Sequence, residues 1–353
     1  MKKCTVGIHK GCIELGSDAL RVAVTTQVGP RIIGCFIGKD SKFNHFVVLP
    51  PEPMPQPANG FTLYGGHRLW HSPEACPRTY EPDNMPVQVK DCDTGVEFTM
   101  EADVFTGMSK KILVEPLSNG LIMVTHTIEN CGMFPVELAP WTLSMMAPGG
   151  LAVIPQGREP EGYPYTPDRH LALWAYTDLK DKRIELGSDY IFVRQDRKCK
   201  DATLKIGFND ACGWVAHINN GQALVKYFEY DPDGNYPDGG CSVECYSCNK
   251  FTEVETLGPL ETLEPGECVQ HIEYWQGIDN LPEIKTEEDV DKYLVPNLLS
   301  CDCDDDDNCD ECDCCCDDAC ECCEDEHCDC GCEDEVAEEE APKKKAKAKS
   351  KKK

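Results

Sequence analysis

Residues 64–74 read Tyr-Gly-Gly-His-Arg-Leu-Trp-His-Ser-Pro-Glu and concentrate side chains that can do chemistry. Imidazole and carboxylate groups move protons near neutral pH, the guanidinium of Arg68 binds an oxyanion or a hydroxyl, and the indole of Trp70 stacks on a sugar face. The Gly-Gly step lets backbone come close to a ligand. The combination predicts a site for a polar, ring-shaped small molecule. The alternative is a structural turn whose polar groups satisfy one another.

Composition divides the 353-residue chain into a globular part, residues 1–300, and a tail. The tail holds almost no large apolar residue, so it cannot offset the entropy lost on ordering, and we expect it to be disordered. It consists of a Cys/Asp/Glu-rich segment, 301–340, and a Lys-rich tip, 341–353.

Net charge and the distribution of cysteines limit the binding partners and the cellular location that we expect for this protein. A net charge of −29 argues against a nucleic-acid or anionic-membrane partner. The first ten residues lack the apolar stretch of a secretory signal, and no apolar run approaches the length of a membrane span. Twelve scattered cysteines in the globular part are typical of reduced thiols. We therefore expect a cytoplasmic protein.

Most of residues 1–280 reads as short, β-branched strands bounded by Gly, Pro, Asn or Asp. The predicted strands are 20–26, 31–37, 96–100, 111–115, 121–128, 190–194, 213–218, 223–228 and 251–257. So many short strands predict an all-β fold, a large antiparallel β-sandwich. One short C-terminal helix follows, with Thr286 as its capping residue and Val290, Tyr293 and Leu294 as its apolar stripe.

Several motifs, read in order, resemble the galactose mutarotase-like (aldose 1-epimerase-like) proteins over about residues 15–278. The motifs are Gly-Pro-Arg-Ile-Ile at 29–33, Gly-Gly-His-Arg-Leu-Trp at 65–70, Ile-Glu-Asn-Cys-Gly at 128–132, Ala-Pro-Trp-Thr-Leu at 139–143, Pro-Gly-Gly at 148–150, Pro-Asp-Gly-Gly-Cys-Ser-Val-Glu at 237–244, Glu-Val-Glu-Thr-Leu-Gly-Pro at 253–259 and Leu-Glu-Pro-Gly-Glu at 263–267. Within that superfamily they resemble an uncharacterised bacterial branch more closely than the classical members. The resemblance implies a β-supersandwich with its ligand on the concave face of one sheet.

The resemblance also implies a mechanism, in which a glutamate takes the anomeric proton while a histidine protonates the ring oxygen. Glu244 is the first candidate for the base, because it ends a Gly-x-x-x-Glu step at the family's distance from Pro265. Glu255 is the rival; its local sequence resembles the family's, but it lies closer to Pro265. His67 and His71 are the candidates for the acid.

One departure from the family bears on activity. Classical mutarotases carry a histidine in an Asn-His-x-Tyr-Phe segment, where this chain has Ala-Pro-Trp-Thr-Leu. Trp141 can stack on a sugar but cannot move a proton, so epimerase-like or lyase-like chemistry would need His67 or His71 in its place.

Further side chains are candidates for holding the ligand. Arginines can bind hydroxyls, a carboxylate or a phosphate, and tryptophans can stack on a ring, although salt bridges and core packing are their structural alternatives. The predicted substrate-binding residues are Arg31, Arg68, Trp70, Glu74, Trp141 and Arg169, with Trp174 as a further stacking platform.

Ligand spacing indicates two candidate metal sites. His67, His71 and Glu74 have the spacing of a zinc site on a helix, but Pro73 and the Gly-Gly step disfavour a helix there. The tail holds thirteen cysteines in thirty-two residues, and closely spaced thiolates bridge soft metals such as zinc or copper. The tail ligands would be Cys301, Cys303, Cys309, Cys312, Cys314, Cys315, Cys316, Cys320, Cys322, Cys323, His327, Cys328, Cys330 and Cys332. No cofactor is expected for the sandwich.

The sequence therefore predicts a carbohydrate-active protein whose partner is a small-molecule sugar or sugar derivative. The leading hypothesis is an epimerase- or mutarotase-like isomerase that uses Glu244 or Glu255 with His67 or His71. The alternative is a carbohydrate-binding sandwich without turnover, and a third hypothesis places the function in metal binding by the tail.

Overall fold

Strands account for most of the residues that the computed structural model describes, namely 1–54, 60–157, 167–199 and 202–299. In chain order they are β1 (Lys2–Val6), β2 (His9–Gly16), β3 (Leu20–Val24), β4 (Arg31–Ile37), β5 (Val48–Pro53), β6 (Thr62–Ser72), β7 (Gln88–Asp91), β8 (Val96–Met100), β9 (Met108–Pro116), β10 (Ile122–Asn130), β11 (Val136–Met146), β12 (Leu151–Pro155), β13 (Leu171–Leu173), β14 (Ile184–Leu186), β15 (Tyr190–Arg194), β16 (Leu204–Phe208), β17 (Trp214–Asn219), β18 (Gln222–Phe228), β19 (Val243–Ser247), β20 (Thr252–Leu257), β21 (Glu261–Leu263) and β22 (Cys268–Ile278). The Cys/Asp/Glu-rich tail, with all its predicted metal ligands, and the Lys-rich tip lie outside the described residues.

Two antiparallel sheets contain these strands. The first has the order β1-β2-β3-β4-β6-β11-β20-β19-β16-β13, with β5 paired to β6 and β21 paired to β11. The second has the order β14-β15-β12-β17-β18-β22-β10-β9-β8-β7. The strand pairs of both sheets run antiparallel. This arrangement confirms the predicted antiparallel β-sandwich.

The core lies between the two sheets and follows from alternation along the strands. On β8, Val96, Phe98 and Met100 are buried, whereas the intervening Glu97 and Thr99 are only half-buried. The largest buried apolar cluster draws on both sheets and includes Leu20, Val22, Ile32, Ile112, Val124 and Trp275. Because this interior is largely apolar, any polar side chain that points into it needs a partner there.

The strands predicted from β-branched runs are present, and three have the predicted bounds: Arg31–Ile37, Val96–Met100 and Tyr190–Arg194. The strand β6 is not predicted from the sequence, because two glycines and several polar residues interrupt the alternation of apolar and polar side chains. Gly65 and Gly66 have φ of 88° and 72°, and a Cβ there would lie 2.1 and 2.4 Å from the carbonyl oxygens of Val47 and Ile32. Because glycine has no Cβ, the Gly-Gly step lets the backbone of neighbouring segments approach closely.

The short C-terminal helix is confirmed. It begins at Glu287–Asp289 and continues, with changed pitch, through Val290–Leu294 and Val295–Asn297. The Thr286 side chain accepts a hydrogen bond from the backbone N–H of Asp289, whose carboxylate accepts from the Thr286 N–H in return. This segment is too short to traverse a bilayer, and the described part of the chain holds no other helix with the length and apolarity to do so.

Six buried histidines link the stability of the fold to pH. Burial lowers the pKa of each imidazole below its ordinary value of 6.5, to about 3 for His217 and His271. The six are His45, His67, His71, His126, His217 and His271. Below about pH 6.5 the imidazoles of the unfolded chain become protonated, whereas these six imidazoles stay neutral in the folded protein. Their contribution to stability is therefore present above pH 6.5 and is lost as the pH falls towards the lowered pKa values.

Replacing His217 by Phe should flatten this pH dependence. His217 is fully buried, and neither ring nitrogen has a hydrogen-bond partner among the described residues. Between pH 6 and pH 4 the free energy of unfolding should fall less steeply in His217→Phe, by about 1.4 kcal/mol per pH unit. Urea unfolding at pH 6, 5 and 4 measures the slope. The exposed His170 supplies the matched control, His170→Phe, and an unchanged slope in H217F would contradict the prediction.

Candidate functional site

The candidate site lies on the face of the first sheet that points away from the second. Side chains alternate across a strand, so Arg68 and Trp70 of β6 project to this outer face while Leu69 projects to the interior. Backbone register aligns further side chains with them in two adjacent rows. The first row reads Glu244, Glu255, Leu143 and Arg68, and the second reads Lys205, Tyr246 and Glu253.

Five residues of these rows form the floor of a cleft of about 400 Å³, namely Arg68, Leu143, Lys205, Tyr246 and Glu253. A cleft of this size suits a small organic ligand. Its walls are aromatic, and its polar side chains comprise four charged groups, three tyrosine hydroxyls and one threonine hydroxyl. The lining residues are Met54, Leu63, Arg68, Trp70, Glu74, Tyr80, Trp141, Leu143, Trp174, Tyr176, Thr203, Lys205, Tyr246, Phe251 and Glu253.

Two carboxylates share the ammonium group of Lys205. Its Nζ lies 2.6 Å from Oε2 of Glu244 and 3.1 Å from Oε2 of Glu255. Trp141 donates its Nε1–H to the same oxygen of Glu255 at 2.8 Å. All four side chains are buried, so one cation faces two anions in a medium that screens charge poorly.

The pKa shifts follow from this arrangement. Burial raises the pKa of Glu244 well above its ordinary value; the Lys205 ammonium opposes that rise and the Glu255 charge adds to it. Burial acts to lower the pKa of Lys205, but the charges of Glu255 and Glu244 outweigh it and raise that pKa. Lys205 therefore stays an ammonium at neutral pH, while Glu244 is poised to hold a proton.

A second ion pair joins Arg68 to Glu253. Nη2 of Arg68 lies 3.0 Å from Oε1 of Glu253, and the guanidinium carbon stands 4.3 Å from the centre of the Trp70 ring. Burial raises the pKa of Glu253, against the opposing charge of Arg68. Nε and Nη1 of Arg68 are buried without a hydrogen-bond partner among the described residues, so two donors remain for a ligand.

Aromatic rings surround these charges. Trp70 packs edge-on against Trp141 with ring centres 5.5 Å apart, and Tyr80 lies 4.9 Å from Trp70. The Lys205 ammonium stands 4.3 Å from the Trp141 ring and 4.6 Å from the Trp174 ring. The walls can therefore stack on a ring-shaped ligand and also accommodate positive charge.

Glu74 is the exposed carboxylate of the cleft and lies at its rim. The hydroxyl of Tyr80 donates a hydrogen bond to it, and the Tyr80 ring packs in turn against Trp70. The predicted site residues that converge on this cleft are Arg68, Trp70, Glu74, Trp141 and Trp174. Glu244 and Glu255 lie beneath it, covered by Lys205.

His67 and His71 do not reach the cleft. They are buried, and the spacing that puts them on one face of β6 puts them on the face opposite to Arg68 and Trp70. The zinc arrangement of His67 and His71 with Glu74 is not formed either, because Glu74 is exposed at the rim.

His67 belongs instead to a chain of hydrogen bonds between the sheets. The Lys226 ammonium donates to the Ser144 hydroxyl at 3.2 Å, and Ser144 lies 2.9 Å from Nδ1 of His67. Nε2 of His67 lies 2.7 Å from Nε2 of His126, whose Nδ1 donates to the carbonyl oxygen of His271 at 2.9 Å. If the Ser144 hydroxyl donates to His67, every group in the chain is paired with both imidazoles neutral.

The same interior holds a cluster with metal-ligand chemistry. Among the described residues, His67, His126 and Glu273 bring three ligand atoms within 4.8 Å of one another. However, the Lys226 ammonium lies 2.7 Å from Glu273 and already supplies the positive charge that this carboxylate needs. The cluster is therefore a buried structural network.

The remaining predicted residues lie elsewhere. Arg31 is opposite Arg68 on the neighbouring strand, but it is fully buried, where it donates to the carbonyl of Gly65 and pairs with Asp83. Arg169 lines a separate cavity and donates to Oε1 of Gln156 at 3.2 Å.

Sequence reasoning did not identify Lys205, Glu253 and the tyrosines of the cleft. Glu253 shares a face with Glu255 because the two are two residues apart on a strand, so alternation would have found it. Lys205 stands in the apolar strand Leu-Lys-Ile-Gly-Phe, and a lysine in such a run signals a buried ion pair. No comparable sequence pattern identifies the tyrosines of the cleft, Tyr80, Tyr176 and Tyr246.

Replacing Lys205 by Met should destabilise the protein, because two buried carboxylates would lose their cation. Breaking a buried ion pair in this way costs about 3–5 kcal/mol of unfolding free energy. Urea unfolding at pH 7 measures the loss, and Lys250→Met at an exposed position is the matched control. Adding Glu244→Gln and Glu255→Gln should recover much of the stability. Wild-type stability in K205M would refute the account.

The chain matches no protein-family model and no curated protein. Solved structures do match it. A galactose mutarotase-like protein from Lactobacillus casei is 10% identical over 76% of this chain and 100% of its own, with a TM-score of 0.48. A putative aldose 1-epimerase from Escherichia coli K12 is 11% identical over 75% of this chain and 98% of its own, with a TM-score of 0.47.

A TPR-domain containing protein from Parabacteroides distasonis is 15% identical over 78% of this chain, with a TM-score of 0.50; the match covers 48% of that longer protein. A galactose mutarotase-like protein and a putative aldose 1-epimerase are thus among the solved structures that this chain resembles. At these identities the likeness concerns the fold alone.

Proposed function

We propose that this protein binds the ring of a small carbohydrate in the cleft and carries out acid–base chemistry on it, in the manner of an epimerase or mutarotase. The observation that carries the proposal is the placement of Glu253 and Lys205, a carboxylate and an ammonium, on the floor of one aromatic-walled cleft. Aromatic walls with a few fixed charged groups are typical of sites for polar ring compounds.

Binding would use the walls and the free donors. The indoles of Trp70, Trp141 and Trp174 offer faces on which the apolar side of a sugar ring stacks. The unpartnered Nε and Nη1 hydrogens of Arg68 would donate to ring hydroxyls, and such pairing orients the ring above Glu253.

Glu253 would act as the base and take the proton of the anomeric hydroxyl. Its raised pKa brings it nearer to neutral pH, where a carboxylate exchanges protons most effectively. As the bond from the anomeric carbon to the ring oxygen breaks, the Lys205 ammonium would stabilise the negative charge on that oxygen. Glu244 and Glu255, the bases predicted from the sequence, would position Lys205. The ring then recloses as that oxygen attacks either face of the aldehyde carbon, and the Glu253 carboxyl returns its proton to the aldehyde oxygen.

The alternative is a carbohydrate-binding protein without turnover. The same side chains would then only hold hydroxyls, and the absence of His67 and His71 from the cleft favours this reading. Anomeric exchange separates the two hypotheses, because binding alone leaves the exchange rate at its uncatalysed value.

Glu253→Gln tests the catalytic role. With a bound sugar identified by calorimetry, two-dimensional exchange NMR measures its anomeric interconversion. Loss of a general base should lower the rate by about 100-fold or more. The dissociation constant should change much less, because the amide keeps the shape of the side chain.

Glu264→Gln, at an exposed position, is the matched control and should exchange at the wild-type rate. Equal rates in Glu253→Gln and wild type would remove Glu253 from the mechanism. Binding without exchange in the wild type would favour the non-catalytic alternative.

A second function is proposed for the tail, on the evidence of its sequence. Thirteen cysteines in residues 301–332 alternate with acids and His327, so they can offer clustered thiolates to a soft metal. The twelve cysteines of the globular part are free and scattered. We expect the full-length protein to bind several equivalents of zinc or copper(I) and to release protons as it does so.

Metal stoichiometry by mass spectrometry tests the tail. Full-length protein with all thirteen tail cysteines replaced by serine should lose the uptake. The matched control replaces the exposed cysteines of the globular part, Cys76, Cys131, Cys212 and Cys268, and should retain it. Unchanged uptake in the tail variant would refute the proposal.

A further inference from the structure

The charges around the cleft do not balance. Arg68 is matched by Glu253 at 3.0 Å, and Lys205 can match only one of its two carboxylates. Glu74 accepts a hydrogen bond from the neutral Tyr80 and has no cation of its own among the residues that line the cleft. The surplus is therefore two negative charges, or one when Glu244 holds a proton.

The aromatic walls suit a positive charge as well. Rings of tryptophan and tyrosine attract an ammonium through their negative faces. The molecule already shows this preference, because the Lys205 ammonium rests 4.3 Å from the Trp141 ring and 4.6 Å from the Trp174 ring. At the rim, Tyr80 and Trp70 form a second pair of rings, and the Tyr80 hydroxyl is hydrogen-bonded to the Glu74 carboxylate.

From the negative surplus and the aromatic walls together, we infer that the ligand of the cleft carries a protonated amine, and that its class is that of the amino sugars. The inference rests on the proposed function, since it specifies the sugar that the cleft binds. Glu74 is the specificity-determining residue, because it is the exposed carboxylate of the lining and is held by Tyr80, one of the aromatic residues of the cleft.

An acidic sugar fits the same cleft poorly. Arg68 is the guanidinium of the lining, and its charge is already matched by Glu253. A ligand carboxylate would meet that glutamate and also approach Glu74, and like charges at a site lower affinity. A neutral sugar would keep the stacking and the hydrogen bonds from Arg68 but would gain nothing from the surplus charge.

Calorimetry on full-length protein at pH 6.5 tests the inference with matched sugar series. Each series, gluco, galacto and manno, comprises the parent sugar, its 2-amino form, its N-acetylated amino form and its uronate. Acetylation keeps the skeleton and removes the charge. In the series that binds, the amine should bind about tenfold more tightly than the parent, a difference of about 1.4 kcal/mol. The acetylated form should lose this advantage, and the uronate should bind most weakly.

Glu74→Gln should lower the ratio of amine to parent affinity towards one, whereas Glu185→Gln on β14 of the second sheet should leave the ratio unchanged. A parent sugar or uronate that binds as tightly as the amine would overturn the inference and leave the proposed function standing. A ratio that does not move in E74Q would overturn the role of Glu74. Absence of binding by every sugar would overturn the proposed function and the inference with it.

Discussion

The Lys205 ammonium allows the first sheet to carry two neighbouring carboxylates inside the protein. Glu244 and Glu255 are directly opposite on adjacent strands, where like charges destabilise a sheet, and both are fully buried. Burial of each charge costs several kcal/mol unless a counter-charge lies close by. Lys205 supplies that charge to both, and its position between them and the Trp141 ring sets the floor of the cleft. The proposed chemistry depends on this contact.

The opposite face of the same strands is organised in a related way. Thr256, next to Glu255 on β20, points into the interior and donates a hydrogen bond to Glu273, which also binds the Lys226 ammonium. The inner face of β20 therefore packs against a buried lysine–glutamate pair of the second sheet, while its outer face carries Glu253 and Glu255. A one-residue slip of this strand would turn Glu253 and Glu255 inward, away from Arg68 and Lys205. The buried ion pairs thus specify the register that brings the cleft residues together.

Much of the fold follows from local sequence. β-Branched runs bounded by turn residues locate strands such as Arg31–Ile37 and Tyr190–Arg194, and Thr286 marks the start of the C-terminal helix. β6 is harder to recognise, because His67 and His71 are polar yet face the interior. The partners of His67 are Ser144 and His126, which are 77 and 59 residues away in the chain, so no local sequence pattern identifies them.

The sequence by itself determined the fold class and the concentration of Arg68, Trp70 and Glu74 that marks the cleft, because strand propensity and residue chemistry are local properties. Tertiary structure alone decided which side chains share a face. Alternation sends Arg68 and Trp70 outward and His67 and His71 inward, and strand order brings Lys205 and Glu253 beneath the same rings. These placements depend on the pairing of strands far apart in the chain, and on the need of each buried charge for a partner that only the folded sheet provides.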